Sequence, residues 1–229
     1  MGVTGTGRRA AGGRTGRGRR WYRRGKRLLD IAGAAALLLL AAPLYAAVAA
    51  TVWAALGRPV HFRQVRPGLG ARPFALAKFR TMRPVGPGRV SDADRLTPVG
   101  RWLRRTSLDE LPTLWNVLRG EMSLVGPRPL LPEYLPRYSA AQARRHEVRP
   151  GVTGLAQVRG RNGVPWPRRL ALDVRYVDTC CLGLDLRILA ATAALVWRGT
   201  GVAGPGSATM EEFRGQPAGA PRVTAGAPR

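Results

Sequence analysis

The chain has 229 residues, with 38 Lys and Arg against 13 Asp and Glu and a formal net charge of +25 at pH 7. That balance predicts polyanionic partners, whether nucleic acid, anionic lipid or phosphorylated substrates. The two cysteines, Cys180 and Cys181, are neighbours, which excludes a disulfide framework and fits a reducing compartment; His61 and His146 stand apart from each other and from any cysteine, so no zinc-type cluster is visible.

Residues 1–25 read as a solvated arm in which arginines alternate with glycine and nothing can form a core. After Lys26, Arg27 and Asp30, the run Ile31 to Leu56 carries no charge. At roughly 26 residues it would be about 39 Å long if straight, against about 30 Å of bilayer hydrocarbon, and reads as a membrane segment. Pro43 sits near its middle and cations crowd both flanks, Arg23, Arg24, Lys26 and Arg27 before it and Arg58, Arg63, Arg66 and Arg72 after it. If both flanks stay on the cytoplasmic side, the helix bends at Pro43 and returns to the same face. A straight span with a tolerated proline kink is the alternative, and a cleaved export signal a third reading.

From Pro59 the pattern becomes that of a folded body. Pro59 to Val65 and Phe74 to Arg80 read as two strands of a hairpin about a turn at Gly68 to Gly70, with Lys78 and Arg80 on one face. Arg83 to Asp94 is a Pro- and Gly-bearing loop. The stretch Leu103 to Pro112, LRRTSLDELP, places Asp109 and Glu110 side by side among cations. It reads as the reactive centre. Leu111, Leu114, Trp115 and Leu118 follow at helical spacing up to Gly120, so the acids sit at a helix N-terminus, where unpaired amides favour negative charge. Ser107-x-x-Glu110 is equally a capping box, although a helix started there would put Pro112 in its ladder, whereas a start at Asp109 leaves Pro112 in the first turn.

Glu121 to Val125 reads as a strand ending in Gly126-Pro127-Arg128-Pro129, whose prolines fix the backbone around Arg128. Leu130 to Glu147 has helical character, Pro150 to Val158 reads as a further strand, and Arg159 to Gly163 is a glycine loop suited to phosphate. Leu170 to Val177 and Leu182 to Trp197 are expected as helices, the second lying in a membrane interface or in the core. Gly199 onward reads as a tail with a brief ordered element at Met210 to Phe213.

Taken together, Lys26-Arg27-x-x-Asp30 before a Pro-broken apolar run, Lys78-Phe79-Arg80-Thr81-Met82, Ser107-Leu108-Asp109-Glu110-Leu111, Gly126-Pro127-Arg128-Pro129, and Pro150-Gly151-Val152-Thr153-Gly154 through Gly160-Arg161-Asn162 resemble the bacterial sugar transferases. More narrowly, the chain resembles the small monotopic polyprenyl-phosphate phosphoglycosyl transferases, over about Lys26 to Gly215. The resemblance implies an α+β fold, mainly helical with a small sheet, with a re-entrant membrane helix broken at Pro43 (26–57) and a catalytic domain (58–200); the disordered basic arm (1–25) lies outside the resemblance, and 201–229 reads as a flexible tail. It implies transfer of a sugar-1-phosphate from a UDP-sugar to polyprenyl phosphate, with Mg2+ as cofactor and UMP as product, at the cytoplasmic face of the bacterial inner membrane.

Carried over by position, Asp109 would be the nucleophile, Glu110 would help hold Mg2+, and Lys78, Arg104, Arg128 and Arg161 would bind the phosphates. A carboxylate attacking a diphosphate meets like-charge repulsion, which gives the metal and the arginines their use. Membrane lipids are expected partners, a homodimer is compatible with the pattern, and nucleic acid is not expected. The family's usual Ser-Pro at the helix break is Ala42-Pro43 here, so a serine hydroxyl cannot satisfy the freed carbonyls. The competing reading from another class is a membrane-tethered basic module binding anionic lipid or nucleic acid. It leaves the paired acids unexplained.

Overall fold

The computed structural model describes residues 16–86, 88, 91–160, 163–198 and 212–215. It is mostly helical with two small sheets. Helix α1 (Gly16–Leu40) and helix α2 (Ala42–Leu56) meet at Ala41. The axes of Gly25–Leu40 and Ala42–Leu56 differ by 65°, and no single helix among the described residues is long and apolar enough to cross a membrane. Pro43 lies in the first turn of α2, where its missing N–H costs the new helix nothing while denying the old one a ladder bond. Residues 16–25, read from sequence as part of a solvated arm, belong instead to α1; residues 1–15 lie outside the described residues.

Both arms of the bent pair dock on the body. Ala34 of α1 is fully buried with Leu76, Leu114, Val117 and Met122, and Val48 and Val52 of α2 pack with Phe79 and Leu103. Polar contacts reinforce this. Asp30 accepts from Ser123 Oγ and the Leu124 amide, each at 3.0 Å, Arg27 caps the carbonyls of Val117 and Leu118, and Lys26 pairs with Asp185. Arg80 does the same for α2, donating to the carbonyls of Leu56, Gly57 and Arg58.

Strands β1 (His61–Pro67) and β2 (Pro73–Phe79) form the expected antiparallel hairpin, with Phe62 opposite Lys78. Arg80 falls just beyond β2, and its amide continues the ladder to the Val60 carbonyl at 2.9 Å. The loop after β2 contains one short helix, α3 (Asp92–Arg95), capped by a Ser91–Asp94 capping box. Next come α4 (Pro98–Thr106), a 3-10 turn (Leu108–Glu110) and α5 (Thr113–Arg119).

Strand β3 (Ser123–Val125) pairs in parallel with β4 (Gly151–Thr153). A Cβ on Gly126 or Gly151 would strike the other's backbone, so only glycine permits this approach. The strand expected over Pro150 to Val158 is shorter than that, because helix α7 (Leu155–Val158) takes over after Gly154. The helical stretch expected from Leu130 breaks into a 3-10 segment (Pro132–Arg137), helix α6 (Ala140–Ala143) and a second 3-10 segment (Arg144–Glu147). Helices α8 (Trp166–Thr179) and α9 (Leu182–Arg198) close the body. On α9 Asp185 and Ile188 are buried while Leu186 and Trp197 are exposed, so the helix is part core and part surface. Both cysteines are free.

Candidate active site

The acidic pair lies in the 3-10 turn between α4 and α5. Ser107 ends α4 in the left-handed conformation, at φ 59°, and its side chain makes no cap. The capping box read from Ser107-x-x-Glu110 is therefore absent, because the Glu110 carboxylate is engaged elsewhere. The helix behind the acids starts at Thr113, with Pro112 as its N-cap residue, so the acids stand before its first turn and not within it.

Lys78 Nζ donates to Glu110 Oε1 at 2.6 Å, and Arg128 Nη2 donates to the same oxygen at 2.8 Å. Asp109 is 7% exposed, and its nearest cation among the described residues is Lys78, with Nζ 3.9 Å from Oδ2. Among the described residues no hydrogen bond reaches the Asp109 carboxylate. Burial pushes Asp109 up to about 6, against the opposing pull of Lys78. Burial also acts to raise Glu110, but Arg128 and Lys78 outweigh it and hold that carboxyl well below the ordinary range. Two adjacent carboxyls are thus shifted in opposite directions by their surroundings.

The second row of contacts explains why the geometry holds. Asn116 is fully buried and staples α5 to β2, accepting from the Ala77 amide at 3.0 Å and donating to the Ala75 carbonyl at 2.8 Å. Thr113 Oγ1 adds a bond to the Ala77 carbonyl at 3.1 Å. Together they set Lys78 against the acid turn. Arg104 on α4 donates through Nε to Thr81 Oγ1 at 3.1 Å. Burial pulls its guanidinium down and the charge of Asp109 acts against that shift.

On the far side of Arg128 is a buried ion pair, Arg145 with Asp173 at 2.8 Å, each side chain 2% exposed. Arg145 also donates to the Arg128 carbonyl at 2.6 Å. Burial and the charge of Arg128 lower both Arg66 and Arg169 to about 10. The structure thus brings Lys78 and Arg128 onto the acid pair and ties Arg104 to Thr81, while Arg161 lies outside the described residues. Asn116, Thr81, Arg145 and Asp173 were not singled out from sequence. Their only local signal is that Asp173 is one of few acids in a basic chain.

The bacterial sugar transferase profile matches residues 21–199. The chain is 48% identical over 193 residues to a Bacillus subtilis protein named "Uncharacterized sugar transferase EpsL", covering 83% of this chain and 96% of that one. It is 47% identical over 181 residues to the "UDP-glucose:undecaprenyl-phosphate glucose-1-phosphate transferase" of Caulobacter vibrioides, covering 73% and 67%. A Klebsiella pneumoniae protein of the same name is 39% identical over 177 residues, covering 72% of this chain and 38% of that longer relative. A profile match across residues 21–199, together with a Bacillus subtilis relative 48% identical over 96% of its length, has one meaning: the chain belongs to the bacterial sugar transferase family.

Proposed function

We propose that the chain transfers a sugar-1-phosphate from a UDP-sugar to a polyprenyl phosphate, releasing UMP, in two displacements through a phosphosugar held on Asp109. Donor and acceptor classes are supported by the names of the Caulobacter and Klebsiella relatives. The observation that carries the mechanism is the unequal treatment of the two acids. Glu110 is locked into two ion pairs, while Asp109 is buried beside cations and accepts no hydrogen bond among the described residues.

In the first displacement an Asp109 oxygen attacks the sugar-bearing phosphorus, the bond to the bridging oxygen breaks, and UMP departs with that oxygen. In the second, a phosphate oxygen of the lipid attacks the same phosphorus and returns the carboxylate. A single site serving two anionic substrates in turn gives ping-pong kinetics. Lys78, Arg104 and Arg128 stabilise the charge that builds on the phosphoryl oxygens.

Mg2+ belongs to this proposal through its donor set. Asp109 and Glu110 stand side by side in one 3-10 turn, a donor set that suits an ion held by one or two carboxylates that completes its shell with substrate phosphates and water. Asp109 and Glu110 would hold it. When bound it offsets the negative charge of the diphosphate.

The bent pair α1 and α2 is assigned as a re-entrant membrane helix, with residues 58–200 as the catalytic body on the cytoplasmic side. Support comes from the 65° bend and from exposed apolar side chains near it, Leu39 at 78% and Leu40 at 79%. The deciding experiment is intact-protein mass spectrometry after mixing with UDP-sugar alone. A sugar-phosphate adduct on Asp109, absent in Asp109→Asn, is expected; UMP release by that variant at the parental rate would falsify the covalent mechanism.

A further inference from the structure

Residues 212–215 carry contacts that the transfer reaction does not use. Phe213 is 3% exposed and shares a cluster with Leu130, Tyr134 and Leu170. Its ring meets Tyr134 edge-on at 5.6 Å, stacks on Tyr138 at 5.6 Å and lies 5.2 Å from Trp166. Its backbone is fastened too, since Arg137 Nη1 donates to the Phe213 carbonyl and, at 2.7 Å, to Glu212 Oε1.

From this seat a short path leads to the acid turn. The Arg145 guanidinium lies 5.7 Å over the Tyr138 ring and donates to Tyr138 OH at 3.4 Å. Arg145 then donates to the Arg128 carbonyl at 2.6 Å, and Arg128 donates to Glu110. Leu130, two residues beyond Arg128, lies in the same cluster as Phe213.

We infer that Phe213 is a positioning residue for Arg128: its ring, packed on Tyr138 and Leu130, fixes the backbone that aims the Arg128 guanidinium at Glu110 and at the donor's phosphates. The inference rests on the phosphoglycosyl-transfer reading. Physically it follows from the length of arginine. The Arg128 side chain is 40% exposed, so a small error at its backbone is carried to the guanidinium, and displacements near 1 Å can cost about 100-fold in rate. A phenylalanine that merely fills the core would affect folding and leave substrate affinity alone.

The test uses the full chain in detergent or nanodiscs and the UDP-sugar that the wild type turns over best in a panel. Phe213→Ala is expected to raise the donor KM about fivefold or more, Phe213→Tyr to restore it, and Arg137→Ala, which frees the segment without emptying the cluster, to move it in the same direction. In an Arg128→Lys background Phe213→Ala should add little, because both act on one group. An unchanged donor KM in folded Phe213→Ala or Arg137→Ala, or full additivity with Arg128→Lys, overturns the inference. Should Phe213→Ala fail to fold, Arg137→Ala decides alone. Absence of UMP release by the wild type with every UDP-sugar overturns the parent reading, and this inference with it.

Discussion

Lys78 Nζ lies 2.6 Å from Glu110 Oε1 but 3.9 Å from Asp109 Oδ2, so one cation divides itself unequally between adjacent acids. Arg128 sharpens the division by pairing with the same Glu110 oxygen. Glu110 is therefore ionised throughout the physiological range. Asp109, buried and weakly paired, is pushed up to about 6.

In the proposed mechanism Asp109 must be ionised to attack phosphorus, and this sets the direction of a pH dependence. With a carboxyl at about 6, the ionised fraction falls about tenfold between pH 7 and pH 5. We expect kcat/KM for the UDP-sugar at low metal concentration to rise with unit slope up to about pH 6 and level off above it. Initial rates of UMP release from pH 5 to 8 check this; a flat profile would mean that Asp109 is not the titrating nucleophile.

The same burial has a cost in stability, and its sign can be worked out. The folded-state value of Asp109 is raised from 3.8 to about 6, so between these values the folded chain binds more protons than the unfolded one. Stability then falls as pH rises through that window, and the full penalty is present above it. Asp109→Asn removes the penalty. It should be more stable than wild type at pH 8 by on the order of 2–3 kcal/mol, with the difference fading toward pH 4. Thermal unfolding of both proteins across that range without divalent metal is the measurement. A variant less stable than wild type at pH 8 would show that the buried carboxylate is already compensated.

What could be read from the sequence was what is local. The hairpin needs only alternation and a glycine turn, and the break at Pro43 needs only the missing N–H. The acid pair stood out because it interrupts a basic run. The capping pattern at Ser107, the competing reading of this stretch, is also local, whereas the partner that wins Glu110 is Lys78, 32 positions away. Arg27 and Arg80 likewise carry no local sign of capping helix ends 90 and 24 positions distant. The buried pair Arg145–Asp173 and the staple Asn116 are legible only once β2, α5 and α8 are brought together.

Those distant anchors bear on the re-entrant placement proposed for α1 and α2. The bend has two causes, Pro43 and the docking of both arms on one body, and their sizes can be compared. Proline within a helix costs about 3 kcal/mol. Hydrogen bonds to charged groups contribute about 1.5–3 kcal/mol each, and Arg27 and Asp30 make several. The anchors should dominate. Gly25 has open space at its Cβ position and can carry a reporter as Gly25→Cys in a Cys180→Ser, Cys181→Ser background. In intact spheroplasts we expect a membrane-impermeant maleimide to leave it unlabelled, in the parent and also in Pro43→Leu. Labelling should emerge when Pro43→Leu is combined with Arg27→Ala and Asp30→Ala, which free α1 to straighten across the bilayer. Labelling in the Pro43 parent would mean that α1 and α2 span the membrane, and labelling in Pro43→Leu alone would make the proline, and not the docked arms, the reason that both ends share one face.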